Sequence, residues 1–223
     1  MKIVVLAAFS LETTAIVHHF ALHRSKSSGF VNMWSGPRFS LAMTGIGKVN
    51  AAAATQYIID REKPDILMNV GLCGGFAKAV TVGDIVLPSH VVQHDNDQRV
   101  FGLALGAIPG INKVRIPLYQ LPQQKRKYTS GVCLTGDRIL QGEYEASLMY
   151  ALFHPIVVDM ELGAIAQVSY LNKIKLISIK SITDIVEHSD IKKFEKRGQS
   201  GMKQICNVLD ETLGYLRATQ SPS

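Results

Sequence analysis

The sequence predicts an α/β fold with a central, largely parallel β-sheet covered by helices on both faces. Two observations carry this reading. Short apolar, β-branched runs alternate with stretches of helical period along nearly the whole chain. Strands joined by helices of ten or more residues need crossover connections, and these leave the strands parallel and buried on both faces. The length of 223 residues, 47% of them hydrophobic, suffices for one large core.

The elements follow in order. Ile3 to Ala8 reads as a buried strand and Glu12 to Leu22 as the helix after it. Phe39 to Thr44 is a second strand, entering the glycine turn Gly45-Ile46-Gly47, and Val49 to Asp60 is an alanine-rich helix stopped near Pro64. Asp65 to Val70 is a third strand closing on Gly71, Gly74 and Gly75, and Gly83 to Val92 a strand region interrupted by Pro88. Gly131 to Thr135, Pro155 to Asp159 and Lys175 to Ile179 read as further strands, with helices over Leu162 to Asn172 and Lys192 to Leu216. Gly106 to Ser130, rich in Pro, Gln and Lys, reads as an irregular excursion rather than a linker. Residues 1–217 therefore form one expected domain, and 218–223 an expected disordered tail.

Composition narrows the class. With 24 Lys and Arg against 18 Asp and Glu the formal charge is +6, but the basic residues are scattered. The densest cluster is Lys125-Arg126-Lys127, too small for a nucleic-acid footprint, so a nucleic-acid partner is not expected. Cys73, Cys133 and Cys206 lie far apart without a CxxC spacing, which argues against zinc and disulfides and fits a reducing compartment. Apolar runs fall short of the roughly 20 residues that cross a bilayer, so no membrane association is expected. Ile3 to Phe9 faintly resembles a signal peptide, but Glu12 follows at once and an A-x-A site is missing. The expected location is cytoplasmic.

Ligands in α/β sheets bind beyond the carboxyl ends of the strands. There the sequence places Glu12, Gly45-Ile46-Gly47-Lys48, Gly71-Leu72-Cys73-Gly74-Gly75, Asp159-Met160-Glu161 and Thr183-Asp184. Parallel, adjacent strands would bring Glu12, Glu161 and Asp184 to one rim, a cluster suited to proton transfer and to stabilising positive charge. Each also has a plainer reading: Asp184 as a helix cap, Glu161 as a first-turn acid favoured by the helix dipole. Gly45 to Asn50 opens like a dinucleotide fingerprint, yet Asn50 stands where the third glycine belongs. An oxidoreductase is thereby disfavoured. His94-Asp95-Asn96-Asp97 has metal-ligand residue types, but an acidic loop with one histidine rarely holds a metal, and neither metal nor cofactor is expected. A GxSxG elbow is missing, so a serine hydrolase is unsupported.

Taken in chain order, eight segments resemble the purine nucleoside phosphorylase and nucleosidase superfamily, above all the 5′-methylthioadenosine/S-adenosylhomocysteine nucleosidases. They are Ala7 to Glu12, Thr44 to Ala52, Asn69 to Gly75, Val82 to Val86, His94 to Asp97, Thr135 to Asp137, Asp159 to Glu161 and Ser181 to Asp184. The likeness runs from Met1 to about Leu216. It implies a three-layer α/β/α architecture with a mixed, largely parallel twisted sheet, and hydrolysis of the N-glycosidic bond of an adenine nucleoside in methionine salvage.

Such cleavage passes through an oxocarbenium-like sugar. By resemblance, Asp184 is the general acid at adenine N7, Glu161 grips the ribose hydroxyls, Met160 packs against the sugar and Glu12 activates the water. The backbone around Leu140 and Val186 would read the adenine edge, with Gly74, Ile139 and Lys180 also at the substrate. Phe101 and Pro109 would line the 5′ pocket of the neighbouring subunit in a homodimer. A phosphorylase needs arginines for phosphate, and the strand ends Ala8 to Glu12 and Asn69 to Gly75 carry none. Hydrolysis is therefore preferred to phosphorolysis.

Three positions depart from the nucleosidase pattern: Leu72 for a small hydroxyl residue, Lys180 for an arginine, and Ile139 for an aromatic that stacks on the base. They leave open a related nucleoside of the futalosine type, or a homologue that binds nucleosides without turnover.

Overall fold

The computed structural model describes residues 1–25, 29–121, 128–188 and 190–219. Its strands and helices, in chain order, are β1 (Ile3–Ala7), α1 (Ser10–Phe20), β2 (His23–Arg24), β3 (Asn32–Ser35), β4 (Ser40–Met43), α2 (Lys48–Glu62), β5 (Ile66–Gly75) and β6 (Ile85–Val86). There follow β7 (His90–Gln93), β8 (Ile116–Pro117), β9 (Val132–Thr135), α3 (Glu143–Phe153), β10 (Pro155–Asp159), α4 (Leu162–Leu171), β11 (Lys175–Ile185) and α5 (Phe194–Ala218).

The strands form one mixed sheet in the order β2-β3-β4-β1-β5-β10-β9-β7-β8, with β11 beside β5 and β6 beside β11. The pairs β1–β4, β1–β5, β5–β11, β9–β10 and β7–β9 are parallel. Side chains alternate between the two faces, as the period of two requires. Val4, Leu6 and Leu67 pack with Ala51, Ala54 and Ile58 of α2 and Ile165 of α4. Ile3, Val5, Met68 and Ile177 pack on the other side, in the cluster that holds Ile16 of α1 and Met202, Ile205 and Leu209 of α5. The result is the expected three-layer α/β/α architecture.

The structure corrects several local expectations. The strand over Asp65 to Val70 continues to Gly75, so the glycines that read as a closing turn are part of β5. Its last residues pair antiparallel with β10, Gly75 opposite Val157 and Gly74 opposite Val158. A side chain at Gly74 would meet Val158 at 3.2 Å, and a bare backbone permits this approach. The strand from Lys175 likewise continues, to Ile185. The Gly83 to Val92 region divides into β6 and β7 on either side of Pro88.

Helix α3 was not foreseen. Ala146, Met149 and Phe153 are buried while Tyr144, Leu148 and Leu152 are exposed, so the segment is apolar on both faces and shows no period. Helices α1, α2 and α3 end on Ala21, Lys63 and His154, all left-handed although none is glycine, so the usual stop signal is missing. The Gly106 to Ser130 excursion contains β8, which pairs with β7; its basic cluster Lys125-Arg126-Lys127 lies outside the described residues. Helix α5 runs to Ala218, inside the expected tail, whose residues 220–223 are also outside them. Among the described residues, no helix is long and apolar enough to cross a membrane.

Candidate active site

Parallel strands end on the same rim, and a cavity of about 330 Å³ opens there. Glu12, Glu161 and Asp184 all line it, together with Met160, Ile139, Leu140, Val186 and Gly74. The three carboxylates that the sequence places at strand ends therefore share one cavity.

Glu12 stands in the first turn of α1 and is 2% exposed. Its Oε2 accepts the N–H of Ala8 at 2.7 Å, and its Oε1 accepts the N–H of Leu72, on β5, at 2.8 Å. Burial raises its pKa, while the Lys180 charge and the backbone donors at Leu72, Ala8 and Phe9 pull it back. Gly71 presses against this carboxylate so closely that an added Cβ would lie 2.6 Å from Oε1.

Glu161 links β10 to α4, and its Oε1 accepts the N–H of Gly47 at 2.9 Å. Gly47 has φ 91°, a left-handed backbone that glycine adopts without strain. The glycine turn that looked like half a dinucleotide fingerprint therefore orients a carboxylate. Burial, aided by the neighbouring Asp159 charge, pushes Glu161 up to about 7, against the pull of Lys180 and the Gly47 amide. A carboxyl raised above its unfolded value of 4.5 stabilises fully below that value and loses its contribution as pH rises through about 7. We expect the melting temperature to fall across this window and Glu161→Gln to reduce the slope. Glu12, raised in the same direction, contributes with the same sign.

Asp184 lies near the end of β11, past a register shift between Ile182 and Asp184. Its Oδ1 accepts the N–H of Asp190 at 3.0 Å and lies 3.7 Å from Nη1 of Arg197. Arg197 also donates to the carbonyl of Thr183 at 3.1 Å.

Three expected site residues do not line this cavity. Lys180 is buried behind it, 2.6 Å from Asp159. Phe101 is 79% exposed and Pro109 is exposed, both on the loop after β7. Ile46, from the glycine turn, also lines the cavity, and so do residues that the strand-end reading missed, among them Phe9, Arg138 and Phe194. Phe194 opens α5 and stacks on Phe9, with ring centroids 6.4 Å apart. Its position after a strand and a turn was a possible signal; its approach to Phe9, 185 positions away, was not. Arg138 pairs with Glu145 at 2.5 Å at the cavity edge.

The acids of the His94 to Asp97 segment are engaged by residues outside it. Asp95 pairs with Lys48 at 2.7 Å and accepts the N–H of Asp137, and Asp97 pairs with Arg99. Among the described residues, no group of three or more His, Cys, Asp or Glu is placed to hold a metal ion.

Comparison with known proteins agrees with this geometry. The model of the phosphorylase superfamily matches residues 2–214. A 5′-methylthioadenosine/S-adenosylhomocysteine nucleosidase from Desulfotalea psychrophila is 33% identical over 202 residues, covering 85% of this chain and 86% of the relative. That of Anoxybacillus flavithermus is 30% identical over 211 residues, covering 88% and 90%. The crystal structure of the Neisseria meningitidis nucleosidase in complex with methylthio-immucillin-A superposes with a TM-score of 0.84 at 26% identity, covering 94% of this chain and 97% of that one. The chain belongs to the phosphorylase superfamily and, within it, to the 5′-methylthioadenosine/S-adenosylhomocysteine nucleosidases.

Proposed function

We propose that the protein hydrolyses the N-glycosidic bond of a 5′-thioadenosine such as 5′-methylthioadenosine or S-adenosylhomocysteine, releasing adenine. The observation that carries this is the placing of Glu12, Glu161 and Asp184 around one cavity. Departure of the base leaves positive charge on the ribose ring, and Glu161 faces it from the wall. Glu161 also accepts from the sugar hydroxyls, with Met160 beneath the ring. Asp184 protonates N7 so that adenine leaves neutral. Glu12, fixed through both oxygens by backbone amides, orients the water and takes its proton. Ile139 stands in place of a stacking aromatic, and the backbone around Leu140 and Val186 reads the adenine edge.

Adenine release from 5′-methylthioadenosine, with and without inorganic phosphate, tests this reading. Equal release in both supports hydrolysis. Strict phosphate dependence makes it a phosphorylase, a reading that Arg138 at the cavity favours. Tight nucleoside binding without turnover makes it a binding protein.

The reading includes a homodimer, in the cytoplasm, serving methionine salvage. Val100 and Phe101 are 87% and 79% exposed, and burying them against a second copy would remove two large apolar side chains from water. Free, buried Cys73, Cys133 and Cys206 suit a reducing compartment. If Phe101 closes the partner's 5′ pocket, Phe101→Ala raises KM for 5′-methylthioadenosine about tenfold or more with little change in kcat, a loss of apolar contact worth roughly 1.5–3 kcal/mol. An unchanged KM in steady-state kinetics removes Phe101 from the site.

A further inference from the structure

We propose that the buried ion pair Lys180–Asp159 is the internal counter-charge of the active site, holding Glu161 in place through Asp159 and setting the charge beside Glu12 through Lys180. This deepens the nucleosidase reading and rests on it only for the role of Glu12 as a base.

The geometry is that of a closed network. Lys180 Nζ lies 2.6 Å from Asp159 Oδ2, and both side chains are about 98% buried or more. Asp159 Oδ1 accepts from Thr135 Oγ1 at 2.6 Å, and the same hydroxyl accepts the N–H of Gly163 at 2.9 Å. The Asp159 carboxylate also takes the N–H of Leu162, at 3.1 Å to Oδ2. It therefore grips the first turn of α4 on the far side of Met160 and Glu161, and the loop carrying both is held at each end. A flexible ammonium can be held this tightly only by burying a full positive charge among groups that need one.

The charged and titratable groups around Lys180 come from five other elements. They are Asp159 on β10, Glu161 at the start of α4, Cys133 on β9, and Glu12 and Cys73 on α1 and β5. Burial is the largest single influence and opposes the ammonium, but the charge and hydrogen bond of Asp159 together with the other neighbouring groups raise the pKa of Lys180 above the usual range. Lys180 stands opposite Gly71 in the β11–β5 ladder, and Gly71 lies against the Glu12 carboxylate. Facing Glu12 are thus Lys180 and the amides of Leu72, Ala8 and Phe9, and Lys180 is the largest influence opposing its burial. Glu161 feels Asp159 and Lys180 with opposite signs. Lys180 and Asp159 are positioning residues in this scheme.

The test reads Glu12 directly in the ligand-free protein. The carboxyl stretch absent from a Glu12→Gln counterpart is titrated by difference infrared spectroscopy in wild type, Lys180→Arg, Asp159→Asn and the neutral pair Lys180→Met/Asp159→Asn. The neutral pair is expected to move the Glu12 titration up by about one pH unit or more. Asp159→Asn moves it down, because the ammonium then acts unopposed, and Lys180→Arg leaves it in place. The acid limb of kcat/KM for adenine release should move in parallel. Unmoved titrations in whichever of the two neutralising variants folds, with altered melting temperatures alone, would overturn the proposal. Absent turnover in the wild type would instead count against the nucleosidase reading, with the infrared result standing separately.

Discussion

Asp184→Asn is expected to lower kcat for adenine release by about 10² to 10⁴, the usual worth of a positioned general acid. The substitution is close to isosteric, and the amide oxygen can still accept the N–H that Asp190 presents at 3.0 Å. The melting temperature should therefore change little, which separates chemistry from folding. The proton acid role makes a sharper demand as well. A 5′-thioriboside whose leaving group departs without protonation, such as a nitrophenolate, should be cleaved by the variant at nearly the wild-type rate. Retention of most of the adenine-releasing rate would remove Asp184 from the acid role. Equal loss on both substrates would make it a binding group.

The second large effect is expected at a residue with no functional group. Gly71→Ala places a Cβ 2.6 Å from Glu12 Oε1, closer than real Cβ atoms come to their neighbours. Glu12 cannot swing aside cheaply, because its oxygens hold the Ala8 and Leu72 amides at 2.7 and 2.8 Å. Overpacking at such a site costs about 1–3 kcal/mol of stability. Displacing the base should cost a further 10²-fold or more in kcat. Melting curves and steady-state kinetics on Gly71→Ala, beside Glu12→Gln as the reference for a lost base, check both parts. A variant that melts early yet keeps its kcat would show that Gly71 serves packing alone.

The two substitutions differ in how visible their targets are from the sequence. Asp184 follows an apolar run, and that position is informative because parallel strands all point their carboxyl ends to one rim. The same rule drew Glu12 and Glu161 to the cavity before any contact was known, and alternating strand and helix patterns identified most of the sheet. These features are local: apolar period, strand length and the residue after a strand depend on neighbours within a few positions.

Tertiary structure decided the rest. Gly71 reads as a turn glycine until β5 runs beside α1 and the Leu72 amide reaches Glu12, 60 positions away. Lys180 reads as a substrate contact until β11 lies beside β5 and its ammonium meets Asp159, 21 positions earlier in the chain. Phe194 was silent until α5 folded back onto Phe9. Helix α3 escaped because its exposed face is as apolar as its buried one. The common reason is that local periodicity reports which side of an element faces the core, whereas a site is made by register between elements. That register follows from packing two specific surfaces together, and neither surface carries it alone.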